Sequence, residues 1–334
     1  MEFTQIAGKT VSRIGLGTWA IGGTEWGAVS DRDAVSTILG ALDQGFDRGI
    51  NLIDTAPIYG HGRAETLLGQ AIREHGDREA FFIATKAGLA SDIPGEAGVF
   101  TDSTAPRLRQ ELEDSLRRLG TDSIDLYQIH WPDPLVPVEE TAALLAKFQQ
   151  EGKVRALGVS NFSVAQMQAF RSVAPLASNQ PPYNLFEREI DAEILPWCAE
   201  NGIAILTYSS LCRSLLGGRL APATTFPKDD IRSHDPKFQQ PRFSQYLAAV
   251  EKLAALAQAR YGKTVLELAA RWVLDRPGIS VALWGAKRPE QLDAVAGVIG
   301  WNLDQAAMQE IDRIVAESVT APIGPEYLTP SIRK

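Results

Sequence analysis

Eight times along this chain an apolar, strand-like run gives way to a segment with helical spacing. The runs centre near residues 14, 50, 81, 125, 155, 177, 204 and 281. Such alternation implies a parallel sheet, because each strand needs a long crossover to return beside its neighbour. In 334 residues, the best solution is an α/β (β/α)8 TIM barrel, with the doubly wound open sheet as runner-up. No GxGxxG opens a helix after a strand, which counts against a Rossmann dinucleotide fold. Residues 2–12 alternate around Gly8-Lys9 and predict an N-terminal β-hairpin ahead of the barrel. No linker composition and no further repeat is visible, so residues 1–334 are read as a single barrel domain with extra helices.

Helical spacing predicts helices over 32–48, with Asp31 as N-cap, and over 63–75, 106–119, 138–151, 163–172 and 190–201. Asn201-Gly202 is a good C-cap pair for the last of these. Further helices are expected over 245–260, 264–275, 289–299 and 304–317. Two stretches break the rhythm. Residues 87–104 read as a Gly/Pro/Ser/Asp-rich loop. Residues 209–244 read as a long polar loop, which at that length is usually functional or disordered.

The chemistry gathers at strand ends. Ile50-Asn51-Leu52-Ile53 runs into Asp54, and Tyr59 follows on a loop bounded by Pro57 and Gly60. Phe81 to Thr85 runs into Lys86, and Ile124 to Ile129 runs into His130. In a parallel barrel these four side chains converge on one mouth. A free phenol has a pKa of about 10. An ammonium at Lys86 is expected to lower that of Tyr59, with Asp54 holding the ammonium and His130 positioning a carbonyl. The set suits polarising a C=O and protonating the resulting alkoxide. Singly, each residue has a plainer reading: Asp54 an N-cap, Tyr59 a packing aromatic, Lys86 a rim lysine, His130 a satisfied core imidazole. Their joint placement at strand ends favours chemistry.

Composition narrows the partners. The net charge of -8 argues against a general nucleic-acid binder. Cys198 and Cys212 form no spaced framework and lack the company a zinc site needs, so neither disulfides nor a metal is expected. No signal peptide and no apolar run of membrane-spanning length is visible, so the expectation is a cytoplasmic protein without membrane association.

A hydride donor has places to sit. Ser160-Asn161 and Gln180 end adjacent strands with groups that can bind a carboxamide. Tyr208 can stack on a planar ring, and Arg213 can pair with a pyrophosphate. After the last strand, Gly285-Ala286-Lys287-Arg288-Pro289-Glu290-Gln291 is a small-residue turn with two cations at a helix start. Two cations there favour a 2′-phosphate, hence NADPH (NADP+) over NADH. Trp19, Trp26, Trp131, Phe100 and the 209–244 loop are candidates for the wall of the substrate pocket.

These residues resemble the aldo-keto reductase superfamily, in family order and over nearly the whole chain. The pieces are Gly15-Leu16-Gly17-Thr18-Trp19, Asn51 to Gly60, Thr85-Lys86, Gln128-Ile129-His130-Trp131 and Gly158-Val159-Ser160-Asn161-Phe162. Asn179 to Asn184, Tyr208-Ser209-Ser210-Leu211, Leu283 to Pro289 and Gly324-Pro325-Glu326-Tyr327 are similar as well. They look most like the bacterial branch of general-stress and glyceraldehyde-type reductases. The resemblance implies a catalytic tetrad of Asp54, Tyr59, Lys86 and His130. It places Ser160, Asn161, Gln180 and Tyr208 on the nicotinamide, and it assigns Thr18, Trp19, Ser210 and Leu211 to the cofactor with them. Where many members carry a Lys-Ser pair and a following Arg around the adenosine phosphate, this chain has Gly285-Ala286 and Gln291, so Lys287 and Arg288 compensate. The implied activity is NADPH-dependent reduction of a small aldehyde or ketone by a monomer. Two other readings compete: a lyase with a Schiff base on Lys86, and an NADP-binding regulatory subunit that resembles the potassium-channel β-subunits of this superfamily.

Overall fold

In the computed structural model, which describes residues 1–43, 49–91 and 98–333, a hairpin of β1 (Phe3–Ile6) and β2 (Lys9–Ser12) precedes the barrel. The eight barrel strands are β3 (Ile14–Gly17), β4 (Leu52–Asp54), β5 (Phe82–Ala87), β8 (Ile124–Ile129), β9 (Val154–Ser160), β10 (Ser178–Gln180), β11 (Ala204–Thr207) and β12 (Ile279–Gly285). They pair in that order, all parallel, and β12 closes on β3. The (β/α)8 barrel expected from the alternation is the observed fold.

Around it lie α1 (Trp19–Gly22), α2 (Asp31–Leu42), α3 (Arg63–His75), α4 (Ala105–Leu119), α5 (Val138–Gln150), α6 (Val164–Arg171), α7 (Ile194–Glu200), α8 (Arg242–Tyr261), α9 (Val265–Asp275) and α10 (Gln305–Ser318). Ser30, not Asp31, is the N-cap of α2: its side chain accepts the Asp33 amide, and Asp31 falls in the first turn. The expected continuation of that helix over 44–48 lies outside the described residues. The stretch 190–201 is split, a 3-10 turn over Glu189–Asp191 preceding α7. Pro289–Gly297 is a 3-10 helix rather than an α-helix.

Two expected loops are more ordered than their composition implies. Within 87–104, β6 (Leu89–Ser91) pairs antiparallel with β7 (Val99–Thr101), and the C-terminal β13 (Ser331–Ile332) adds to β7. Residues 92–97, the middle of that stretch, lie outside the described residues. The 209–244 stretch is neither featureless nor merely polar. It carries 3-10 turns at 215–217, 231–233 and 236–238, and Arg213 at its start is buried.

Side-chain alternation builds two cores. Ile14, Leu16, Ile53, Ile83, Ile129 and Val159 point outward under the helices. Leu52, Phe82, Ala84, Leu126, Ala156, Leu206, Val281 and Leu283 fill the lumen, with Ile6 and Val11 of the hairpin packed beneath them. Each lumen position fixes its strand's inward parity. Two residues up from Leu52 is Asp54, and four up from Phe82 is Lys86. Above Leu126 come Gln128 and His130, above Ala156 come Gly158 and Ser160, above Ser178 comes Gln180, and above Leu206 comes Tyr208. The apolar layer thus carries a polar layer at the C-terminal mouth, where barrel enzymes place their chemistry.

Candidate active site

Lys86 is the centre of that polar layer and is 0% exposed. Its ammonium donates to Asp54 Oδ1 (2.7 Å), to the Thr55 carbonyl (3.0 Å) and to the Tyr59 hydroxyl (3.3 Å). All three of its donors are therefore used. Asp54 is held from the other side by Gln180, whose Nε2 donates to Oδ2 (2.8 Å). Beneath it, Thr18 donates from both its amide and its hydroxyl to the Asp54 carbonyl, each at 2.9 Å.

Tyr59 reaches the same point from a loop rather than a strand. That loop is seated against α1 through two glycines. A Cβ on Gly22 would lie 2.7 Å from the Tyr59 carbonyl carbon, and one on Gly60, at φ +62°, would run into the Gly22 carbonyl. The ring of Tyr59 stacks at 6.2 Å between centroids on Trp19 and meets the edge of His130 at 5.8 Å. Asp54, Tyr59, Lys86 and His130 are thus brought together, as the strand ends require.

Tyr59 departs from the expected electrostatics. Burial, followed by the Asp54 carboxylate, raises its pKa well above the ordinary phenol value. The ammonium at Lys86 does not reverse this, because Asp54 largely cancels its field and the phenolate would be poorly solvated. The hydroxyl stays protonated and accepts from Lys86, leaving its own proton free to donate. Burial also lowers the pKa of Lys86, which Asp54 partly restores. Burial and the Lys86 charge hold His130 well below its usual value, so the imidazole is neutral.

The second half of the mouth is an amide-rich network. Asn161 takes a left-handed conformation at φ +62°, which asparagine tolerates. This turns its Nδ2 to donate to the His130 carbonyl and to Ser160 Oγ, both at 3.0 Å, while Oδ1 accepts from Tyr208 Oη at 2.9 Å. Ser160 Oγ donates to the Gln180 carbonyl at 2.6 Å. Among the described residues, Gln180 Oε1 and a second lone pair of Asn161 Oδ1 have no partner.

Other expected binding residues are differently employed. Arg213 does not face a solvent-open crevice. Its Nε donates to Asp235 (2.8 Å), one terminal nitrogen to Glu187 (2.6 Å) and the other to Ser209 Oγ (3.2 Å). Two buried carboxylates take the pairing expected for a pyrophosphate. Ser210 is buried, its hydroxyl shared with Thr207, and Leu211 packs partly buried against the outer core. Gln291 is turned back onto its own loop. Its Oε1 accepts the amides of Lys287 (2.7 Å) and Arg288 (3.1 Å) and so shapes the turn over Gly285 and Ala286. The Lys287 amine donates to the Trp26 carbonyl, and burial together with Arg232 and Arg288 lowers its pKa. Arg288 is exposed and makes no ion pair among the described residues. Sequence reasoning missed Arg232 in this cation group, and it missed Thr55, whose carbonyl holds Lys86.

Residues 13–316 match the family model described as "Aldo/keto reductase family". The chain belongs to the aldo/keto reductase family. It is 51% identical over 336 residues to the aldo-keto reductase YhdN of Bacillus subtilis, covering 100% of this chain and 99% of that one. The solved structure of the glycerol dehydrogenase AKR11B4 from Gluconobacter oxydans is 50% identical, with a TM-score of 0.87 and coverage of 97% and 98%. An aldo-keto reductase from Klebsiella pneumoniae, solved in complex with NADPH, is 29% identical with a TM-score of 0.71 over 100% of both chains.

As a member of this family, the chain is an oxidoreductase of carbonyl and alcohol groups. Its mouth fits a nicotinamide nucleotide on its own chemistry. The free acceptors on Gln180 and Asn161 match the N–H groups of a carboxamide, and the Tyr208 ring stands beside them for stacking. At the opposite side, Arg232 and Arg288 crowd Lys287, with Asp230 opposing them. A phosphate placed there relieves that repulsion.

Proposed function

We propose that this chain reduces aldehydes and ketones to alcohols with NADPH, with Tyr59 as the proton donor. The observation that carries it is the Lys86 ammonium, 2.7 Å from Asp54 and 3.3 Å from the Tyr59 hydroxyl, in the polar layer above a packed lumen. When bound, NADPH supplies the hydride. Tyr59 and the neutral His130 donate to the substrate's carbonyl oxygen, and the Tyr59 proton passes to that oxygen as it becomes an alkoxide. Lys86 then stabilises the charge left on the phenol, so the negative charge is never without a cation. Asp54 keeps Lys86 charged, and Gln180 fixes Asp54. Asn161, Ser160, Gln180 and Tyr208 would hold the nicotinamide end, and Lys287 with Arg288 the phosphate end.

Lys86 is a poor candidate for Schiff-base chemistry, since its three hydrogen bonds and full burial leave no lone pair presented to a substrate. The reading also includes a cytoplasmic, monomeric enzyme acting on small molecules. No helix among the described residues is long and apolar enough to cross a membrane. Following NADPH and NADH oxidation over a panel of aldehydes, sugars and ketones tests the function. Tyr59→Phe is expected to lower kcat by about 10²–10⁴-fold while NADPH still quenches the protein fluorescence with a similar Kd. A variant that keeps most of its rate removes Tyr59 from the proton step.

A further inference from the structure

Glu25 is an acid without an evident employer. It sits in the loop after α1, exposed, with a left-handed φ of +64°. Its backbone carbonyl accepts the Ile231 amide at 2.9 Å, which pins the residue in place. Oε2 accepts from the Trp19 indole at 3.1 Å, and Oε1 accepts nothing among the described residues. It forms no ion pair there. Trp19 is the same ring that stacks on Tyr59, so carboxylate, indole and phenol line up along one wall of the mouth. Glu25 is close enough that its charge acts on Tyr59 and opposes ionisation of the phenol. Although the residue is exposed as a whole, the loop around its carboxyl removes enough water to raise its pKa, against the bond from Trp19, which lowers it. Beyond the bond from Trp19, no side chain among the described residues uses the charge held there, and that charge does not assist ionisation of Tyr59.

Resting on the reductase reading above, we propose that Glu25 determines substrate class. It accepts a hydrogen bond from a substrate hydroxyl, selecting neutral hydroxylated aldehydes and rejecting those that carry a carboxylate. The carbonyl oxygen lies at Tyr59, the carbon chain covers the Trp19 face, and a hydroxyl remote from the carbonyl donates to Oε1. A hydroxyl donor bonded to a carboxylate is among the stronger neutral-to-charged pairings. A second anion brought to the same wall meets the repulsion of that carboxylate, reduced but not abolished by solvent.

The test compares kcat/KM for glyceraldehyde, propanal and glyoxylate in wild type, Glu25→Ala and Glu25→Gln, with NADPH as reductant. Glu25→Ala is expected to lose about tenfold or more on glyceraldehyde and less than about twofold on propanal. Glu25→Gln is expected to gain severalfold on glyoxylate, because the repelling charge is gone while Trp19 keeps its partner. NADPH affinity and thermal unfolding are expected to stay at wild-type values in both variants. A glyceraldehyde-to-propanal ratio unchanged in Glu25→Ala, or no gain on glyoxylate in Glu25→Gln, overturns the proposal. If wild type oxidises neither nicotinamide with any of the three aldehydes, the reductase reading fails instead.

Discussion

At Tyr59 two opposing fields meet. The Lys86 ammonium favours the phenolate, while burial and the Asp54 carboxylate favour the phenol, and the phenol wins. In the proposed mechanism the alkaline limb of carbonyl reduction is set by Lys86, whose pKa lies below the ordinary lysine value because it is buried. As pH rises through that value the ammonium is lost, Asp54 is left unpaired, and the charge developing on Tyr59 has no cation beside it. We expect kcat/KM to be flat near neutrality and to fall at a pH lower than free lysine titrates. His130 is held neutral, so the profile is expected to show no break near 6.5. A break there in wild type, absent in His130→Gln, would contradict the neutral imidazole. That Asp54 and Lys86 share one mouth was legible in the sequence, because parity along each strand is a local property: Asp54 follows Leu52 by two, Lys86 follows Phe82 by four. The direction of the Tyr59 shift was not legible, because it depends on how much water the folded mouth excludes.

The β11–α8 connection shows how a polar stretch becomes a structural element. Glu187 and Asp235 face Arg213 and Lys237, and all four side chains are at most 1% exposed. Tyr327 donates to Asp235 at 2.8 Å and lies under the Arg213 guanidinium, while Lys237 donates to the Gly324 carbonyl. Two anions balance two cations, and three distant segments are tied behind Tyr208. Arg213→Met leaves two buried carboxylates facing one lysine. We expect it to destabilise the protein by about 3–5 kcal/mol, read as a Tm lower by about 4–7 °C, and to weaken NADPH binding through a loosened Tyr208. The partners of Arg213 lie 22 and 26 positions away. No local pattern pairs them, and a run of Pro, Lys, Arg and Asp reads as loop. The β6, β7 and β13 strands escaped notice for a related reason. They are two or three residues long, and one partner comes from the far end of the chain.

Taken as a whole, the barrel was legible because eight repeats of one pattern reinforce one another, while stability at a given pH turns on single buried groups. Glu111 of α4 accepts the Gly88 amide at 2.7 Å just beyond β5, and Arg107 covers its other oxygen. Burial pushes its pKa up to about 7, above an unfolded value near 4.3. The folded state therefore holds a proton that the unfolded chain releases. This contribution is complete below about pH 4 and is lost as pH rises through about 7, up to about 3 kcal/mol in all. Glu111→Gln is expected to flatten that slope, so that a plot of Tm against pH diverges from wild type mainly between pH 4.5 and 7. Parallel curves would place Glu111 outside the pH response.

The strand β13 has a practical corollary. It lies along β7 at the C-terminal mouth of the barrel, and Arg333 just after it pairs with Asp102 and Asp133. The hairpin β1–β2 closes the opposite end. A purification handle fused downstream of Arg333 would emerge beside the entrance used by small molecules, whereas one fused upstream of Met1 would leave from the floor.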